Sequence, residues 1–159
     1  MIVDVIDMKK DIIIEEFGNG LGFDKIIFGL KSFKILNGGD ELKVRNAIES
    51  GKYDLLLNPH LVSSRDHLHF RRGGLNQVIC KLLAQKKIKV SFSLDAMKDP
   101  VALGRIEHDI KLCKKFKVDV VVFSLAKNKY EMRGYKDLVS FCKIIGMTGS
   151  MAKKAFDWI

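Results

Sequence analysis

The sequence predicts an α/β fold with a parallel sheet, and three observations carry that expectation. Short apolar runs alternate along the chain with longer stretches whose apolar residues recur at three- and four-residue spacing. Two of the runs, KVSFSL and VDVVVFSL, end in the same Phe-Ser-Leu tripeptide about 30 residues apart, the size of one βαβ unit and an echo of repeated architecture. No Pro- or Ser-rich linker and no charge block interrupts the chain, so its 159 residues read as one domain, 1–159.

Taken in order, residues 2–6 form a first apolar strand and 9–17 a helix, which the glycines of GNGLG stop. Residues 25–30 give a second strand. KSFKIL adds a short extended piece before the NGGD turn, and Asp40 is placed to cap a helix over 41–49 that Gly51 ends. Residues 53–57, YDLLL, are too few for a helix and are closed by Asn58-Pro59, so they read as a buried strand. Leu75, Val78, Ile79, Leu82 and Leu83 mark one apolar helix face, and residues 89–94 form the next strand. Pro100 opens a helix whose apolar side is Leu103, Ile106, Ile110, Leu112 and Phe116. A strand over 118–125 runs into the polar loop AKNKYEMRG, followed by a helix over 135–145 and a short one over 148–158. Strands alternating with amphipathic helices imply parallel β-α-β units, either doubly wound or closed into a barrel. Eight strands in a barrel usually take about 250 residues, so a barrel of this length is a trimmed one.

Composition narrows the function classes. The chain lacks a run of about 18 apolar residues, and its N-terminus lacks the cationic and apolar regions of a signal peptide, which predicts a soluble, cytoplasmic protein with no membrane association. Cys80, Cys113 and Cys142 sit inside apolar runs and read as buried hydrophobes. Residues 1–60 hold 8 Lys/Arg and 10 Asp/Glu; of the total 28 and 19, this leaves 20 bases and 9 acids, net +11, in 61–159. Basicity so one-sided favours a polyanionic partner such as nucleic acid.

The stretch Asn58–Leu94 concentrates polar chemistry: Arg65, Asp66, His67, His69, Arg71 and Arg72 precede Gly73-Gly74 and a helix. The glycines serve either as a hinge or to expose helix N–H groups to a phosphate beside Arg71 and Arg72. Asn76 and Gln77 either cap that helix or bond a partner. His67-x-His69 is a possible metal pair, but Asp66, His60 and His108 do not complete a recognisable ligand set, so no metal site is assigned. Asp4 and Asp7 stand on the first strand, where a barrel metallophosphoesterase would carry an H-x-H. No G-x-S-x-G elbow surrounds any serine. Glu131 and Arg133 are expected to pair and organise their loop, with Arg133 also able to meet an anion.

RDHLHFRRGGLNQVICKLLAQKKIKVSFSL, then LGRIEHDIKLCKKFKVDVVVFSLAKNKYEMRGYKDLVSFCKIIGMT, resembles the archaeal ribonuclease P protein component 3, the family of the eukaryotic thirty-kilodalton RNase P and RNase MRP subunit. The specific marks are Arg65-Asp66, Gly74-Leu75-Asn76-Gln77, Phe92-Ser93-Leu94, LCKKFKVDVVVFSLA, and E-x-R-G followed by Asp137-Leu138; before Asp54 the match is loose. The resemblance implies a TIM-barrel-like (β/α) fold, shortened and with its closure open. It also implies a subunit that is non-catalytic alone and assists a catalytic RNA in removing the 5′ leader of precursor tRNA. No cofactor is expected on the protein, Mg²⁺ acting through the RNA. Expected partners are RNase P RNA, protein component 2 in a two-plus-two assembly, other RNase P proteins, and precursor tRNA as holoenzyme substrate. Arg65, Arg72, Lys81, Arg105 and Arg133 are the implied RNA- or partner-facing bases, with Asp66 and Asn76 shaping the loop; His69 and Arg71 complete the set. The alternatives are a stand-alone metal-dependent phosphoesterase of related barrel fold and a generic RNA-binding protein.

Overall fold

Most strands begin soon after a helix has ended, and five of the six α-helices begin with a side chain that caps them, so local sequence sets most of the boundaries. The computed structural model describes residues 1–62, 66, 69 and 72–157. In these, the order is β1 (Val3–Ile6), α1 (Ile12–Gly20), β2 (Lys25–Phe28), β3 (Ile35–Asn37), α2 (Glu41–Glu49), β4 (Leu55–Leu57), α3 (Gln77–Lys86), β5 (Lys89–Ser93), a one-turn 3-10 helix (Leu94–Ala96), α4 (Pro100–Phe116), β6 (Val120–Phe123), α5 (Tyr135–Ile144) and α6 (Gly149–Lys154). Asp11, Asp40, Asn76, Asp99 and Thr148 each accept a hydrogen bond from a first-turn amide of the helix that follows. Such caps contribute on the order of 1 kcal/mol apiece.

All pairings are parallel. β1 pairs with β2, and β3, β4, β5 and β6 lie side by side in that order. Both faces of the sheet are apolar. Val90, Phe92 and Val122 point to the helices and meet Leu83, Ile106 and Ile110, whereas Val5, Leu55, Leu57, Val121 and Phe123 form a second cluster on the opposite face. This explains the continuous apolar runs of the strands, since a parallel sheet is covered on both sides.

β1 and β6 also meet. The Leu125 amide donates to the Val5 carbonyl at 2.9 Å, and the Asp7 amide to the Ala126 carbonyl at 2.9 Å. Asp4, fully buried, reinforces this seam: its Oδ1 accepts from the amides of Ser124 and Val5, each at 2.8 Å. At the other end of the same strands the residues after α6 intervene, with Val3 N–H donating to Phe156 O (2.8 Å) and Val122 N–H to Ala155 O (3.1 Å).

Three expectations are corrected here. The Phe-Ser-Leu echo does not superpose, because Phe92 pairs with Val122 and Ser93 with Phe123. A shift of one residue moves a side chain to the other face of a sheet, so Phe92 packs under the helices and Phe123 in the opposite cluster. GNGLG ends the first helix as expected, but within the motif and not at Phe17. α1 continues through Gly20, and Gly18 is buried where a Cβ would come within 2.4 Å of Ile26 Cγ1. The final helix closes at Lys154, after which Ala155 and Phe156 give their carbonyls to the strands. Among the described residues, no helix is long and apolar enough to cross a membrane.

Candidate nucleic-acid interface

The polar residues singled out from sequence lie mainly in two loops at the C-terminal ends of the strands, the side where open and closed parallel sheets carry their sites. The first joins β4 to α3. Asn58 turns the chain with φ 49° and ties it to β5: its amide side chain donates to Ser93 Oγ at 2.8 Å and accepts from Ser93 N–H at 2.9 Å. His60 is buried beside Phe92, with Nε2 3.3 Å from the Ala96 carbonyl. Burial lowers its pKa, so it stays neutral.

Arg105 reaches this loop from α4. Its Nε and a terminal nitrogen both lie 2.9 Å from Asp66 Oδ1, and another terminal nitrogen donates to the carbonyls of His60 and Val62, each at 3.3 Å. Asp66 Oδ1 also accepts from the Arg72 amide at 3.0 Å. One guanidinium therefore gathers both limbs of the loop. Its side chain is only 12% exposed, so Arg105 is placed inside the loop's support, not on its surface. Arg72 and His69 are exposed, and so is Lys81, in the second turn of α3. Arg65, His67 and Arg71 lie outside the described residues.

Gly73 and Gly74 are packed, which settles the choice between hinge and phosphate cradle in favour of neither. A Cβ on Gly73 would lie 2.0 Å from Asp109 Oδ1, and one on Gly74, with φ +84°, 1.8 Å from the Pro59 carbonyl oxygen. Asn76 then caps α3 by accepting from Ile79 N–H at 2.8 Å while its amide donates to the Glu41 carboxylate. The helix start is thus capped by its own chain and faces a carboxylate. A cleft of about 690 Å³ beside it is lined by Asp40, Glu41 and Arg72 among others.

Asp109 and Glu41 were not legible as part of this region. Asp109 is fully buried behind Gly73, with His108 Nδ1 3.8 Å from its Oδ1. Burial raises its pKa to about 7, against the opposing pull of His108. The sole signal in the sequence was the pair of glycines, which a buried side chain opposite would require.

The second loop joins β6 to α5. Glu131 accepts from the Lys127 amide at 2.9 Å and from the Asn128 side chain at 2.8 Å, while Arg133 donates to the carbonyls of Tyr130 (2.7 Å) and Met132 (3.0 Å). Glu131 and Arg133 do not pair with each other, contrary to expectation. Each saturates backbone groups of a tight turn, which gives better geometry than a side-chain pair across it. The hydrogen bond from the Lys127 amide holds the Glu131 carboxyl below its ordinary pKa. Glu131 and Arg133 border a cleft of about 430 Å³ floored by Leu94, Leu138 and Phe141.

The phosphoesterase alternative loses its carboxylates. Asp4 is committed to the β1–β6 seam, and Asp7 is exposed beyond the strand. Among the described residues, no group of His, Cys, Asp and Glu is arranged to hold a metal ion. Cys80, Cys113 and Cys142 are free and buried.

Comparison with known proteins follows the same lines. No family model matches the chain. It is 30% identical to ribonuclease P protein component 3 of Thermococcus kodakarensis over 74% of its own length and 53% of the relative's. It is also 30% identical to the protein of that name from Methanocaldococcus jannaschii (72% and 49%) and 25% identical to that of Methanosarcina mazei (79% and 52%). The chain spans about half the length of the curated relatives it matches. Its fold matches a chain in the cryo-EM structure of archaeal Ribonuclease P with mature tRNA at a TM-score of 0.64 and 21% identity, over 98% of this chain and 64% of that one. By sequence, over about three quarters of its length, the chain is a relative of the archaeal ribonuclease P protein component 3.

Proposed function

We propose that the chain is a protein subunit of ribonuclease P that assists the catalytic RNA in removing the 5′ leader from precursor tRNA, and is not catalytic by itself. The observation that carries this reading is the similarity to three archaeal component 3 proteins over about three quarters of the chain. The chemistry of the loops supports it. Arg105, Asp66, Glu131 and Arg133 are spent on carbonyls, amides and each other, as in a rigid recognition surface, and not on aligning a nucleophile with a base.

In this reading Mg²⁺ acts through the RNA, and the protein binds none as a cofactor. The exposed bases Arg72, Lys81 and Arg133, with His69 and the flanking Arg65 and Arg71, face RNA or protein component 2, while Arg105, Asp66 and Asn76 hold the loop. The assembly is the two-plus-two one with component 2, working in the cytoplasm on precursor tRNA. The same reading takes the six parallel strands as a shortened TIM-like barrel, with the β1–β6 contacts as its seam and the gap between β2 and β3 as its opening.

Reconstitution tests the function. The purified chain, added with component 2 to the cognate RNA, is expected to restore cleavage of precursor tRNA at Mg²⁺ concentrations where the RNA alone is inactive. Lack of stimulation, with component 2 shown to be bound, would overturn the proposal. Equal stimulation by unrelated basic proteins would reduce it to generic RNA binding.

A further inference from the structure

The two loops hold only part of the positive charge of the chain, and much of the rest lies at the ends of its helices. In a parallel β-α chain, helices end on the side where strands begin, and the cations that complement helix C-termini gather there. α3 ends in Lys86 and Lys87 just before Lys89 opens β5, and α4 ends in Lys114, Lys115 and Lys117 just before β6. Lys87 and Lys117 occupy the same left-handed cap position, with φ 57° and 56°. Lys153 and Lys154 close α6 on the same side. A cleft of about 500 Å³ at the start of β5 and β6 is lined by Lys89, Lys114, Lys117 and Lys154.

One cation per helix end satisfies the macrodipole, and three within four positions in two successive turns go beyond it while repelling one another. Among the described residues, Lys86, Lys87, Lys114, Lys117 and Lys154 form no ion pair with a carboxylate. Two carboxylates border the cleft. Asp157 is paired with the N-terminal ammonium at 2.6 Å, which leaves Asp119 beside Lys114, Lys117 and Lys154. Lysine is depleted in protein–protein interfaces, whereas exposed ammonium groups on flexible stems suit sequence-independent phosphate contact.

We propose that this face, at the opposite ends of the strands from the two loops, binds the phosphodiester backbone of RNA. The choice of RNA rests on the ribonuclease P reading; the electrostatics do not. The test is fluorescence anisotropy of the full chain with a labelled RNA hairpin of arbitrary sequence, over a range of salt. Lys114→Gln/Lys117→Gln/Lys154→Gln is compared with Lys9→Gln/Lys10→Gln/Lys31→Gln, which removes the same charge from the strand C-terminal side. The first variant is expected to weaken binding about tenfold or more at moderate salt and to flatten the slope of log K against log salt by about 2, with less than half that effect from the second. Equal losses, or none, overturn the proposal.

If the first variant does not fold, acetylation of the wild type with and without the hairpin replaces it. RNA protection of Lys114, Lys117 and Lys154 supports the face, and unprotected lysines overturn it. Displacement of the hairpin by polyglutamate as readily as by unlabelled RNA of equal charge would assign the face to acidic protein and also overturn it. A wild type that stimulates the cognate RNA yet is indifferent to these lysines sinks the face alone; lysine-dependent hairpin binding without stimulation sinks the function alone.

Discussion

Arg105 shows how far a residue's type is from its role. A guanidinium in a basic region reads as a phosphate contact, but here two of its nitrogens are on Asp66 and a third reaches two carbonyls. Nothing in the spacing of residues 66 and 105 reveals this, because the pair joins a loop to a helix 39 positions away. Breaking a fully buried pair costs about 3–5 kcal/mol. With 12% and 26% of these side chains exposed, screening lowers the expectation for Arg105→Ala to about 1–3 kcal/mol. Asp66→Ala should expose the Arg72 amide, and hydrogen exchange there should rise in both variants; an unchanged rate in Arg105→Ala would show that the loop is held by other means. Gly74→Ala belongs to the same scale. With φ +84° and a Cβ 1.8 Å from the Pro59 carbonyl oxygen, it should lower thermal stability more than the reduced freedom of the unfolded chain could raise it.

At the scale of elements, most of what the sequence promised is present, and the departures have a common cause. Periodicity and capping residues locate the helices and strands, since both are local. Gly18 and the second Phe-Ser-Leu depart because their surroundings are tertiary: one meets Ile26 on the neighbouring strand, and the other is set by a register only the paired strand defines. Val78 departs too, since it fits the apolar spacing of α3 but is 48% exposed near the helix start. Gly18→Ala separates local from tertiary effects. Helix propensity alone favours alanine by about 1 kcal/mol, yet the collision with Ile26 should make the variant less stable by roughly 1–3 kcal/mol. Denaturant unfolding of Gly18→Ala, Ile26→Ala and the pair should show the double variant losing less than the sum of the singles. Additive losses would mean that the helix shifts away without cost.

At the scale of the whole molecule, two carboxyl groups are buried where β1 meets β6 and where the β4–α3 loop meets α4. Burial raises Asp4 from 3.8 to about 6, and Asp109 from 3.8 to about 7. An acid whose pKa is higher folded than unfolded binds more protons in the native state, so stability falls as pH rises from the unfolded value toward the folded one. Between about pH 4 and 7 the chain should therefore lose stability as pH rises, the reverse of the usual acid denaturation. Glu131, held low by the Lys127 amide, works in the opposite sense below its ordinary pKa, which confines the effect to the upper part of that window. One pKa unit corresponds to about 1.4 kcal/mol, so Asp109 alone places a ceiling of about 4 kcal/mol on its share. Asp109→Asn keeps the shape of the side chain and removes the titration. Its melting temperature should exceed that of the wild type at pH 8 and converge with it near pH 4. Asp4→Asn should do the same over a window that closes near pH 6, with its Oδ1 still able to accept from Ser124. Parallel pH profiles for wild type and both variants would show that neither carboxyl is held neutral, and that hydrogen bonds to their charged forms outweigh burial in joining these parts of the fold.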